Sequence, residues 1–226
     1  KTSKSKKEII FSNFDLDQIN LDLFLSAFKR RLKKEPFAKI FREKNFWKHT
    51  FTVNKNVLDP RPETELIIES VEKYFKNKKQ RLNIIDLGTG SGCLAVSLAK
   101  EYSNSLMTAT DISLEALNVA KKNSRKLNCF NQIRFLYCDW IDKEEDFDVI
   151  VSNPPYLTSD QYINLNESVK NYEPKVALLG GKDGLMCIRN VANKLQKITH
   201  LDSFCFVEIG QNQKRESINI FERFGM

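Results

Sequence analysis

The run Asn153-Pro154-Pro155-Tyr156 (NPPY) is the place where residue types and spacing point most sharply to chemistry. It directly follows the apolar segment FDVIVS, so it lies at the carboxyl end of a predicted strand, where open α/β sheets bind ligands. The prolines stiffen the turn and donate no N–H, which leaves the Asn153 side-chain carbonyl and the Pro154 backbone carbonyl as acceptors. Together these carbonyls can take both hydrogens of a planar –NH2 group, and Tyr156 can lie against its flat face. We therefore predict a site for a planar nitrogen, with Asn153, Pro154 and Tyr156 as catalytic residues and Pro155 as a further substrate contact.

A glycine-rich loop, DLGTGSG at residues 86–92, follows a second predicted strand and opens a helix. Glycine removes side chains where the backbone must turn tightly and approach a ligand. The third glycine comes one residue too early for the dinucleotide pattern G-x-G-x-x-G, which disfavours NAD. The predicted cofactor-binding loop consists of Gly88, Thr89, Gly90, Ser91 and Gly92.

Acidic residues end the next two predicted strands. Asp111, 19 residues after Gly92, can accept both ribose hydroxyls of a nucleoside, although it could also be a simple acid at a helix N-terminus. Asp139 and Trp140 end the third strand, where an acid and an aromatic ring could hold an adenine by a hydrogen bond and stacking, unless Trp140 is ordinary core. Asn153 is predicted to contact the cofactor as well. These residues and the glycine loop together predict a nucleoside-containing ligand.

Composition excludes several classes of protein. The 226 residues are 41% hydrophobic and 29% charged, as in a globular chain. No apolar run approaches 18 residues, so the sequence predicts no membrane span. Five cysteines without a C-x-x-C pair and two scattered histidines predict neither a disulfide framework nor a metal site, and they suit a reducing cytoplasm.

The net charge of +7 comes entirely from the first 50 residues, which hold 13 basic and 6 acidic residues. This segment is either a solvated helix face with a ragged basic terminus or a basic surface for an RNA-associated or acidic partner.

The rhythm of the chain predicts the elements that position these residues. Apolar spacing predicts a helix over 15–34 that Pro36 stops, a hairpin or extended linker over 37–62, and a helix over 63–75. From residue 82, strands and helices alternate, with Ser113 as an expected N-cap. Alternating βα units of this kind predict an α/β fold with a doubly wound, mostly parallel sheet.

At this point the sequence resembles the class I S-adenosylmethionine-dependent methyltransferases that modify planar amino or amide nitrogens. The segments EPFAKIFREKNFW (35–47), PRPETE (60–65), YEPKVALLGGKDGL (172–185) and EIGQNQ (208–213) resemble, more narrowly, the release factor glutamine methyltransferase family. PRPETE is the discriminating segment, because related glutamine methyltransferases that act on a ribosomal protein carry a PRSP-type segment there.

The resemblance implies a Rossmann-like domain at 63–226, preceded by a helical substrate-docking region at 1–40 and a hairpin or linker at 41–62. It implies transfer of a methyl group from S-adenosylmethionine to the glutamine of the GGQ motif of peptide chain release factors. We expect a cytoplasmic monomer that needs neither membrane nor nucleic acid and whose residues 1–50 help to grip the release factor. Family members begin with more helix and continue into a last strand pair, and we expect this chain to lack both.

Two other readings stay open. NPPY serves the planar exocyclic amines of DNA or RNA equally well, and a basic segment suits a phosphate backbone. A catalytically silent binding module could also use this fold, although the intact Gly88, Gly90, Asp111 and Asn153 argue against it.

Overall fold

The computed structural model describes residues 21–141 and 144–226, so residues 15–20 of the first predicted helix lie outside the described residues. The strands are β1 (Glu43–Phe46), β2 (His49–Thr52), β3 (Asn83–Leu87), β4 (Leu106–Asp111), β5 (Ile133–Tyr137), β6 (Val149–Ser152) and β7 (Phe204–Val207). The helices are α1 (Leu21–Leu32), α2 (Phe37–Phe41), α3 (Glu65–Tyr74), α4 (Cys93–Glu101), α5 (Leu114–Lys126), α6 (Ser159–Ile163), α7 (Glu167–Lys170), α8 (Met186–Leu195) and α9 (Lys214–Arg223). Short 3-10 helices occupy Pro62–Thr64, Phe130–Gln132 and Lys175–Ala177.

Five strands form one parallel sheet in the order β5-β4-β3-β6-β7. The central strand β3 is buried on both faces. Ile84 packs in a core that includes Val71 of α3 and Leu98 of α4, whereas Ile85 packs with Val191 of α8 on the opposite face. The predicted doubly wound parallel sheet is therefore confirmed. Because the chain returns to the other side of β3 after β5, the reversal of strand order lies beside β3, where such sheets hold their ligands.

The segment before the sheet differs from the predicted extended linker at one place. Helix α1 ends at Leu32, and Pro36 lies between α1 and α2. Pro36 is the N-cap residue of α2, and its φ of −61° is compatible with that position. The hairpin β1–β2 follows as expected, and its Phe46 and Phe51 are buried in the same core as α3 and α4. At the turn, the Trp47 indole Nε1 donates to Glu101 Oε1 at 2.8 Å, which fastens the hairpin to α4.

A buried ion cluster joins α2 to two loops that are far apart in sequence. The Lys39 ammonium, whose side chain is 3% exposed, lies 2.8 Å from Asp59 Oδ1 and 2.9 Å from Glu173 Oε2. It also donates to the backbone carbonyls of Asn54 at 2.8 Å and Val57 at 2.6 Å. We call Lys39, Asp59 and Glu173 the buried ion cluster. The cluster joins α2 to the loops that carry Asp59 and Glu173, and its charged groups are buried and paired with one another.

The predicted N-cap at Ser113 is confirmed, since its hydroxyl accepts from Ala116 N at 3.1 Å.

Within the two described ranges, no helix has the length and apolarity that crossing a bilayer would require.

Candidate active site

A cavity of about 680 Å³ opens at the carboxyl ends of β3, β4 and β6. It brings together residues as far apart in sequence as Asn56 and Asn190, which are separated by 134 positions. Of the predicted site residues, those that line it are Gly88, Thr89, Gly90, Ser91, Asp111, Asp139, Trp140, Asn153 and Pro155. Gly92 is instead the N-cap residue of α4, Pro154 is buried, and Tyr156 faces a neighbouring cavity.

Asp111 shapes the glycine loop from the end of β4. Its Oδ2 accepts from Gly90 N at 2.8 Å and its Oδ1 from Ser113 N at 2.9 Å. The N–H groups of Gly88 and Thr89 both donate to Thr110 O, at 3.0 and 2.8 Å, which fastens the loop to the same strand end. Burial raises the pKa of Asp111, and the backbone donors partly offset that rise. Each carboxylate oxygen retains a lone pair for a ligand hydroxyl.

Asp86, at the start of the same loop, is a cavity residue to which the sequence assigned no role. Its Oδ2 accepts from Thr89 Oγ1 at 2.6 Å and from Ala95 N at 3.2 Å, whereas its buried Oδ1 has no hydrogen-bond partner. Burial raises the pKa of Asp86 to about 7, with the two hydrogen bonds acting in the opposite direction. A buried, unpartnered carboxylate oxygen at a cavity wall fits a cationic ligand group such as an ammonium.

Gly88 and Trp140 form an aromatic-walled part of the cavity. Gly88 has φ +77°, and a Cβ there would lie 3.8 Å from the Trp140 ring. Trp140 itself has φ +64°, an uncommon conformation for a bulky residue, held at the carboxyl edge of the sheet. A Cβ at that distance would be in ordinary van der Waals contact with the indole, so Gly88 and Trp140 lie side by side in the cavity wall. The indole there could stack against the adenine predicted from the sequence.

Asn153 lines the same cavity from the end of β6, the strand that pairs with β3 next to the glycine loop. Its Nδ2 donates to Thr64 Oγ1 at 2.9 Å, and the Thr64 hydroxyl donates to Glu208 Oε2 at 2.6 Å. Pro155 lines the same cavity. Tyr156 points into the second cavity, of about 960 Å³, where its hydroxyl donates to Glu208 Oε1 at 3.3 Å.

The NPPY turn is clamped by two segments that the sequence singled out without giving them a structural role. Leu157 N donates to Leu178 O and Gly180 N donates to Leu157 O, at 3.0 and 2.8 Å. A Cβ on Gly180 would come within 2.6 Å of the Pro155 carbonyl oxygen, so only glycine permits this approach. On the other side, Gln213 Nε2 donates to Tyr156 O at 2.9 Å. Both segments therefore act by fixing the turn.

Three polar residues around the site were missed by residue-by-residue reasoning. Thr64 lies in PRPETE and Glu208 in EIGQNQ, two segments that resemble the family but whose individual residues had no predicted role. The signal that could have found Asp86 is its position, since it ends a buried strand directly before the glycine loop. In the part of the chain that the structure describes, no group of three or more histidine, cysteine, aspartate or glutamate side chains is arranged to hold a metal ion.

The chain is similar to known methyltransferases over most of its length. A family model described as the methyltransferase small domain matches residues 51–201. A release factor glutamine methyltransferase of Clostridium acetobutylicum is 33% identical, over 97% of this chain and 80% of its own length. A bifunctional methyltransferase of Rickettsia bellii is 34% identical over 91% of this chain but only 42% of its own, so the chain spans less than half the length of such relatives.

A solved structure supports the architecture. The S-adenosylmethionine-dependent methyltransferase of Agrobacterium tumefaciens superposes with a TM-score of 0.56 over 80% of this chain and 57% of its own. At 13% sequence identity, this likeness shows a shared fold.

Proposed function

The chain belongs to the release factor glutamine methyltransferase family, and from this membership we propose that it transfers a methyl group from S-adenosylmethionine to the side-chain amide nitrogen of the glutamine in the GGQ motif of peptide chain release factors. One observation carries the proposal. A single cavity is lined by the glycine loop with Asp86 and Asp111 and also by Asn153, which follows the neighbouring strand. A nucleoside donor and a planar amide acceptor can therefore meet in it.

The chain's own groups fit the donor. Asp111 would accept from the ribose hydroxyls, Trp140 would stack on the adenine beside Gly88, and Asp86 Oδ1 would pair with the ammonium of the methionine moiety. When bound, S-adenosylmethionine supplies an activated methyl group on a sulfonium. An amide nitrogen is a weak nucleophile, so the protein's main contribution is to hold the nitrogen in line with that methyl group.

Asn153 and Pro154 would do this holding. Their carbonyl oxygens accept the two amide hydrogens of the substrate, which orients the nitrogen lone pair. The same acceptors stabilise the positive charge that develops on the nitrogen during transfer. Pro155 would border the amide in the first cavity. Tyr156 lines the second cavity, so it would contact the flat face of the amide only from that side.

The proposal also covers the protein's location, its oligomeric state and the roles of its segments. We place the protein in the cytoplasm as a monomer; the five free cysteines are in keeping with a reducing compartment. The N-terminal region 1–40 would dock the release factor, and 41–62 would link it to the catalytic domain at 63–226.

The decisive experiment offers the parental chain two substrates with labelled S-adenosylmethionine. Label should enter a release factor, and mutation of its GGQ glutamine to alanine should abolish incorporation. Label that enters DNA or RNA instead would favour the exocyclic-amine alternative. Titration calorimetry with S-adenosylmethionine separates either enzyme from a silent binding module.

Replacing Asp111 with alanine is expected to weaken S-adenosylmethionine binding by about 2–3 kcal/mol, or on the order of 100-fold in Kd, because it removes charge-assisted acceptors. Calorimetry measures this directly. Asp111→Asn is the matched control, since it keeps one acceptor oxygen and should lose less. An alanine variant that binds with parental affinity would remove Asp111 from the cofactor site.

Binding should also depend on pH through Asp86. Its carboxyl is protonated in the empty site below about pH 7, and pairing with an ammonium requires the ionised form. Affinity should therefore fall by about tenfold per pH unit below the pKa of Asp86 and level off above it. Calorimetry between about pH 5.5 and 7.5 tests this. Asp86→Asn should bind more weakly with a flat profile, and an unchanged slope in that variant would contradict the assignment.

A further inference from the structure

Four side chains form a continuous hydrogen-bonded chain through the wall between the two cavities. Asn153 donates to Thr64 at 2.9 Å, Thr64 donates to Glu208 at 2.6 Å, and Tyr156 donates to the other oxygen of Glu208 at 3.3 Å. We call Asn153, Thr64 and Glu208 the Asn153 relay. Thr64 and Asn153 line the first cavity, and Glu208 lines the second.

The direction of every bond in the relay is set at Glu208. An ionised carboxylate only accepts, so the single hydroxyl proton of Thr64 is committed to Glu208. The Thr64 oxygen can then only accept from Asn153, which forces the Asn153 NH2 group toward Thr64. This leaves the Asn153 carbonyl oxygen free to face the first cavity, which Asn153 lines. Burial raises the pKa of the Glu208 carboxyl, and the hydrogen bonds from Thr64 and Tyr156 act in the opposite direction, in favour of the ionised form.

The position of Glu208 is itself fixed. Its backbone N–H donates to Ser152 O at 3.0 Å, which continues the pairing of β7 with β6 next to Asn153. Thr64 is 3% exposed and ends the 3-10 helix before α3. The relay therefore joins three elements whose relative placement the sheet determines, and it has little freedom to turn over.

On the premise that the chain methylates an amide nitrogen as set out above, we propose that Glu208 is a positioning residue that holds the Asn153 amide with its acceptor oxygen toward the substrate. Glu208 does not contact the reacting nitrogen. It acts through Thr64, and its negative charge is what selects one of the two orientations of a nearly symmetric amide.

This role gives Glu208→Gln a specific consequence. The new amide can donate to Thr64, whose proton is then free to point at the Asn153 oxygen. The Asn153 amide then turns over and presents its NH2 group to the substrate, where an oxygen is needed to accept a hydrogen of the substrate amide. Loss of one preorganised group at a reacting centre typically costs about 10²–10³ in rate, so kcat should fall by about 10²-fold with the KM for the release factor little changed.

The test uses the whole chain and a thermodynamic cycle. Glu208→Gln should be without further effect in an Asn153→Ala background, because the relay acts only through Asn153. Losses that multiply in the double variant would show that Glu208 acts by another route and would overturn the proposal. Glu69→Gln is the matched control, since it removes an exposed carboxylate of α3 that lines neither cavity, and it should keep the parental rate. Thr64→Ser should retain activity, whereas Thr64→Val should lose it.

A second readout is independent of turnover. In ¹⁵N spectra, the Asn153 Nδ2 protons, identified by their absence in Asn153→Ala, should exchange with solvent more slowly than those of exposed Asn118. Glu208→Gln should abolish this protection while the melting temperature stays within a few degrees. Unprotected Nδ2 protons in the parental chain would refute the relay. If the parental chain shows the protection but methylates no GGQ protein, the proposed function fails and the relay stands.

Discussion

Replacing Lys39 with alanine will lower the free energy of unfolding by about 3–5 kcal/mol, the loss expected when one partner of a buried ion pair is removed. The Lys39 ammonium lies within 3 Å of both Asp59 and Glu173. Without it, Asp59 would be a buried carboxylate that has lost this cation, and Glu173 would keep only the partly exposed Arg61 guanidinium at 3.2 Å. Burial already raises the pKa of Glu173. Urea unfolding at neutral pH, followed by far-UV circular dichroism, measures the change.

Two comparisons make this result specific to the buried ion cluster. Lys34→Ala breaks the exposed pair with Glu167 and should leave the free energy of unfolding nearly unchanged, because water screens a surface ion pair. Without Lys39 the pKa of Glu173 rises further, so protonation relieves the unpaired charge and the loss should shrink as the pH falls below that pKa. If Lys39→Ala lowers the free energy of unfolding as little as Lys34→Ala does, or if its effect grows on acidification, the buried ion cluster does not stabilise the fold as proposed.

Asn153→Ala is expected to lower the single-turnover rate on a GGQ protein by about 10²–10³ while the melting temperature stays nearly constant. The reason is that alanine removes an acceptor that the cavity aims at the substrate amide. Rapid-quench measurements with saturating S-adenosylmethionine isolate the transfer step from binding.

Asn153→Asp is the sharper probe of the same site, because it keeps the size and an acceptor oxygen but adds a negative charge. We expect the rates to fall in the order asparagine, aspartate, alanine. An alanine variant with the parental rate would remove Asn153 from the mechanism. A large drop in melting temperature instead would mean that Asn153 mainly shapes the turn.

The sheet was predictable because its cues are local. The strands are short apolar runs followed by glycine, proline or acidic residues, and the helices between them repeat apolar positions every three or four residues. The α2 helix was not predictable in this way. It holds five residues, and its burial of Lys39 depends on two acids that arrive 20 and 134 positions later in the sequence.

The residues of the candidate site also fall into those that local sequence marks and those that only tertiary contacts reveal. The glycine loop, Asp111 and Asn153 are each marked by their place at a strand end. Glu208 also directly follows a strand, but its role depends on a contact with Thr64 that is made across the fold, and Thr64 has no such local mark. Residues 1–50 show the same limit. Their charge suggested a docking segment, yet Lys39 and Phe46 are buried, so a deletion that tests docking must end before α2.

The relay joins parts of the chain that are very distant in sequence. Asn153 and Thr64 are 89 residues apart and Thr64 and Glu208 are 144 apart, whereas Asp111 and Gly90 are separated by only 21. Local opening of a protein releases contiguous units at free energies below that of global unfolding. An opening that detaches β7, the edge strand, would free Glu208 and release Asn153 while β3 and β4 stay paired. In hydrogen exchange, the chain would thus pass through forms that still bind the methyl donor and have lost the means to align an acceptor.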